Sequence, residues 1–87
     1  MTGPEPVILI VEDNIDNRLL LHDMLNLLHY DVVEAVDGVQ GVALAASRKP
    51  ALILMDLSLP QKNGLDAARE IKGNPVTHAI PIIALTA

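Results

Sequence analysis

Two apolar runs in this 87-residue chain stop on carboxylates. Val7-Ile8-Leu9-Ile10-Val11 ends on Glu12 and Asp13, and Leu52-Ile53-Leu54-Met55 ends on Asp56. Continuous runs of this kind read as strands covered on both faces, as in parallel α/β sheets. Ligands of such sheets sit beyond the carboxyl ends of the strands, so these acids project into a functional rim. A carboxylate there can cap a helix, attack an electrophile or bind a hard cation. Taken one at a time, Asp13 and Asn14 read equally well as helix caps, and Asp56 as a solvated loop acid. The chain has no cysteine, which removes disulfides and thiolate metal sites. His22, His29 and His78 form no pair at metal-ligand spacing and, like Lys62, read as surface residues.

Composition narrows the class of partner. At 51% apolar residues, with one Tyr and neither Trp nor Phe, the sequence describes one small domain with an aliphatic core and little stability in reserve. A formal charge of −5 argues against direct binding of nucleic acid and fits a metal cation better. No apolar run approaches the roughly 18 residues of a membrane span, and the first residues lack the pattern of a secretory signal, so a cytoplasmic protein is expected.

Periodicity supplies the elements that hold the acids. Residues 1–6, with two prolines and a glycine, read as a flexible leader. Strand one at Val7–Val11 precedes a helix capped by Asn14 or Asp16. That helix runs to about His29, with Leu21, Met24, Leu25 and Leu28 as a core-facing stripe widened by Leu20 and Leu27. Asp31 to Ala35 reads as an outer strand. Asp37-Gly38 turns into a second helix that packs Val42, Ala45 and Ala46 inward and ends at Lys49-Pro50. After the strand ending at Asp56, Gly64 to about Gly73 reads as a third helix with Leu65, Ala68 and Ile71 or Ala67 inward. Ile80 to Leu85 forms a fourth strand with Pro81 near its start. This alternation implies parallel strands joined by right-handed crossovers.

Met55-Asp56-Leu57-Ser58-Leu59-Pro60, followed by Asn63-Gly64, resembles the phosphoacceptor segment of response-regulator receiver domains. Val11-Glu12-Asp13-Asn14 resembles the acidic pair after that family's first strand, and Ala84-Leu85-Thr86-Ala87 the end of its fourth. All three pieces occur in the family's order. The pattern ends at Ala87, ahead of the helix, lysine-bearing fifth strand and last helix that receivers normally carry. The fold expected is therefore a flavodoxin-like doubly wound parallel α/β sheet truncated to four strands, order 2-1-3-4, with three helices, making residues 7–87 an incomplete receiver domain.

The resemblance implies roles for particular residues. Strands one and three become neighbours, which brings Glu12, Asp13 and Asp56 to one rim, where their mutual repulsion calls for a cation. Magnesium would be held by Asp13 and Asp56 directly, by Glu12 through water and by the main-chain carbonyl of Ser58. Asp56 would accept a phosphoryl group from a histidine kinase or a histidine phosphotransfer protein, and Thr86 would hydrogen-bond that group and begin a conformational switch. No catalysis is implied beyond the domain's own phosphorylation and dephosphorylation.

Two other classes stay in view. A phosphohydrolase of the haloacid-dehalogenase type needs a second acid two residues after its nucleophile, and position 58 is Ser. An assembly module would keep the fold without the chemistry. An uncovered fourth strand favours the latter and implies a homodimer through that strand's edge.

Overall fold

The computed structural model describes residues 6–59 and 62–85. Its elements run β1 (Val7–Val11), α1 (Ile15–Leu27), β2 (Asp31–Ala35), α2 (Gly38–Arg48), β3 (Leu52–Asp56), α3 (Gly64–Gly73) and β4 (Ile82–Leu85). The four strands form one parallel sheet in the order β2-β1-β3-β4. This is the expected flavodoxin-like topology. The proposed leader, up to residue 5, and Thr86 lie outside the described residues.

Helix starts follow from local chemistry. Asn14, Asp37 and Asn63 are extended residues whose side chains accept from the N–H three residues on, at Asn17, Gln40 and Asp66. Lys49, in the left-handed region with φ of 45°, closes α2 ahead of Pro50. Gly41 lets α2 approach the sheet, since a Cβ there would meet both γ-carbons of Val11 at 3.0 Å.

The core lies on one side of the sheet. Leu9, Val11, Ala35, Ile53 and Met55 from the strands pack with Ala45 of α2 and Ala67 and Ile71 of α3. Strand alternation sends Ile8 and Ile10, also buried, to the opposite face, against which α1 packs.

Here the structure corrects two stripes. No α1 residue is fully buried, and Leu20, Met24, Leu27 and Leu28 are more than half exposed. The half-buried positions are Arg18, Leu21, His22 and Leu25, so the inward face is rotated from the apolar one. Glu34 accounts for the inward turn of Arg18 and His22. It lies between Val33 and Ala35, both on the core side, so it projects toward α1 and draws Arg18 and His22 inward. In α3, Leu65 is 53% exposed, leaving Ala67, Ala68 and Ile71 inward. Helix α1 also ends two residues early, with His29 already in the left-handed region at φ 68°.

Candidate functional site

The register of β1 on β3 assembles the site. Val11 stands opposite Met55, so the next step along both strands sets Glu12 beside Asp56. On the other side of β3, Leu85 stands opposite Asp56. Two stretches more than 40 residues apart thereby end at one rim. Glu12, Asp13 and Asp56 each bring a carboxylate oxygen into a group whose members all lie within 4.8 Å of one another.

The three acids sit in different environments. Glu12 is buried, Asp56 half-buried and Asp13 exposed. Burial pushes the Glu12 carboxyl above the usual carboxylate range, and the neighbouring Asp56 and Asp13 carboxylates add to the rise. The Asn14 N–H opposes it, donating to Glu12 Oε2 at 3.2 Å. Among the described residues, no salt bridge reaches any of the three.

The loop after β3 is fixed at Asp56 from two directions. The Ser58 N–H donates to Asp56 Oδ1 at 3.0 Å, and the Gly64 N–H donates to the Leu57 carbonyl at 3.2 Å. Ser58 therefore touches Asp56 through its N–H. Lys62 is paired with Glu70 of α3 and joins none of these contacts.

Asn14 turns out to cap α1, while Asp13 belongs to the carboxylate group. A further residue was not singled out by the sequence. Arg18 donates through a terminal guanidinium nitrogen to the main-chain carbonyls of Glu12, at 3.1 Å, and Asp13, at 3.4 Å. Its signal in the sequence is slight: an arginine one turn into the helix, three and four residues before Leu21 and His22 on the inward face.

An all-oxygen set of converging carboxylates, one of them buried, can bind a metal ion. The sequence model for the response regulator receiver domain matches residues 8–87. This chain belongs to that family. Among curated receivers, the polar-differentiation response regulator DivK of Brucella anthropi is 36% identical over 80 residues, which is 92% of this chain. The chain spans 65% of the length of that relative.

Solved receiver structures superpose closely. The receiver domain of the sensor histidine kinase PA1611 of Pseudomonas aeruginosa, solved with a magnesium ion coordinated in its active-site cleft, is 42% identical with a TM-score of 0.93. The match covers 97% of this chain and 69% of that one. The N-terminal domain of a response regulator receiver protein from Methanoculleus marisnigri is 28% identical with a TM-score of 0.89, covering 93% and 66%. No helix among the described residues is long and apolar enough to cross a membrane.

Proposed function

We propose that this receiver domain accepts a phosphoryl group on Asp56 from a phosphohistidine of a histidine kinase or phosphotransfer protein, as a switch in a cytoplasmic two-component pathway. The observation that carries the reading is the convergence of Glu12, Asp13 and Asp56 at the carboxyl ends of adjacent parallel strands. An Asp56 carboxylate oxygen attacks phosphorus, the phosphorus–nitrogen bond of the donor breaks, and its electron pair leaves on the imidazole nitrogen. Ser58, through its N–H on Oδ1, holds the Asp56 carboxylate in place for that attack.

The donor set suits magnesium: oxygen ligands only, excess negative charge, and a buried carboxyl whose ionised form needs a cation. Asp13, Asp56 and the Ser58 carbonyl would hold the ion, with Glu12 acting through water, and the ion would screen the approaching phosphoryl charge. Thr86, the residue after β4, would hydrogen-bond the transferred group and start the shift in partner binding. The domain's chemistry is its own phosphorylation and dephosphorylation, without turnover of a separate substrate.

Intact-mass measurement after treatment with a small phosphodonor tests this. With magnesium, the chain gains the mass of one phosphoryl group, and neither Asp56→Asn nor the chain without magnesium does. Label that persists in Asp56→Asn would mean a different acceptor.

A second reading, an assembly module that keeps the fold, draws on β4. Among the described residues this strand pairs with β3 alone, and Ile83 is 51% exposed on it. An edge with free N–H and C=O groups is a template for another strand. A symmetric homodimer through this edge pairs β4 antiparallel with its copy.

A further inference from the structure

We infer that Arg18 is a positioning residue for the carboxylate site: anchored by Glu34, it clamps the main chain of Glu12 and Asp13 so that their side chains converge with Asp56. The inference rests on the metal-binding part of the function proposed above. Three acids that repel one another spread apart unless the backbone beneath them is fixed. Glu12 is held through both of its main-chain polar groups, in the peptide units on either side of its Cα. Its N–H donates to the Ala35 carbonyl at 3.0 Å, and its carbonyl accepts from Arg18 at 3.1 Å. The same guanidinium nitrogen reaches the Asp13 carbonyl at 3.4 Å, which makes one group span both acids.

Arg18 is itself fixed. Its Nε donates to Glu34 Oε1 at 3.2 Å, and the other oxygen of Glu34 meets Nδ1 of His22 at 2.5 Å. With the Arg18 side chain 15% exposed, this pair is more shielded than a surface ion pair. The chain of contacts runs from α1 and β2 to the β1–α1 loop and touches no carboxylate of the site. At the site the guanidinium contacts main-chain carbonyls, so it does not occupy the side-chain oxygens that a cation would use. A planar fork with several donors in fixed directions can serve Glu34 and two carbonyls at once, whereas a lysine ammonium offers a single centre.

Calorimetric titration with magnesium chloride tests the role, alongside thermal unfolding. Groups that orient metal ligands without touching the metal change affinity on the order of tenfold or more when removed. Arg18→Met is expected to weaken magnesium binding by about tenfold, with Arg18→Lys recovering part of the loss. Glu34→Gln, which keeps Arg18 but loosens its anchor, is expected to weaken binding less. Wild-type affinity in folded Arg18→Met overturns the inference. Where Arg18→Met does not fold, wild-type affinity in Glu34→Gln does so.

Amide hydrogen exchange reads the clamp without metal. Faster exchange at Glu12 and Asn14 in Arg18→Met or Glu34→Gln supports it, and unchanged exchange in both overturns it. A wild-type chain that binds magnesium no better than Asp13→Ala plus Asp56→Ala sinks the proposed metal site instead, and the exchange data then judge the clamp alone.

Discussion

Gly64 lies against the main chain of Asp56: a Cβ built on this glycine would sit 2.2 Å from the Asp56 carbonyl oxygen and 2.6 Å from the Leu57 Cα. The first turn of α3 thus packs directly under the proposed phosphoacceptor. Both contacts are with backbone, which cannot rotate aside as a side chain can. Gly64→Ala is therefore expected to cost about 1–3 kcal/mol in urea unfolding, as overpacking does, and to weaken magnesium binding by displacing Asp56. Gly73, at the other end of the same helix, has nothing within 4 Å of such a Cβ. Gly73→Ala should leave binding unchanged and add up to about 1 kcal/mol of stability by restricting the unfolded chain. Equal effects at the two positions would show that the Gly64 contact is not the cause.

Glu12 gives the domain a pH dependence with a definite sign. Its carboxyl pKa is raised by burial and by the Asp56 and Asp13 carboxylates, so the folded state holds this proton more tightly than the unfolded chain. The stability this contributes is fully present below the ordinary carboxylate pKa and is lost as pH rises through the raised value. Without magnesium, the melting temperature should fall as pH climbs from the ordinary value through the raised one, and Glu12→Gln should flatten that part of the profile. Magnesium should restore stability at neutral pH by compensating the ionised group. A profile unchanged by Glu12→Gln would locate the dependence elsewhere.

The strands were legible because their signal is complete within a few residues. Val7–Val11 and Leu52–Asp56 are unbroken apolar runs with acids at their ends, and the β1, β2 and β3 bounds read from the sequence are those of the structure. The apolar stripe of α1 was legible only at Leu21 and Leu25, because hydrophobic spacing assumes an apolar surface beneath the helix. Glu34 supplies a charged one, and an arginine and a histidine outrank Met24 and Leu28 for the inward positions. His22, read as a surface residue, is half-buried for the same reason.

The site was legible in parts. Each acid announced itself at the end of a run, but its meeting with the others depends on β1 lying beside β3. That adjacency is a property of sheet order, which local spacing does not encode, and it came from the family resemblance. Arg18 was missed because its partners are main-chain carbonyls and a glutamate 16 residues away, none of which leaves a periodic trace.

The edge of β4 that meets no strand among the described residues makes the last prediction. Ile82, Ile83, Ala84 and Leu85 pair with β3 on one side, and Leu85 joins Leu20, Leu21 and Asn17 of α1 around an open groove beside Glu12. Apolar side chains next to unpaired strand hydrogen-bonding groups favour association with a second strand. At micromolar concentration, light scattering of the 87-residue chain is expected to give the mass of a dimer. Ile83→Lys should shift it toward monomer, because two-fold pairing brings the two lysines close together and like charges near each other across strands are unfavourable. The substitution is on an exposed side chain, so the fold should survive, as circular dichroism would verify. A wild-type chain that scatters as a monomer, or an Ile83→Lys dimer as tight as wild type, would rule out this edge as the interface.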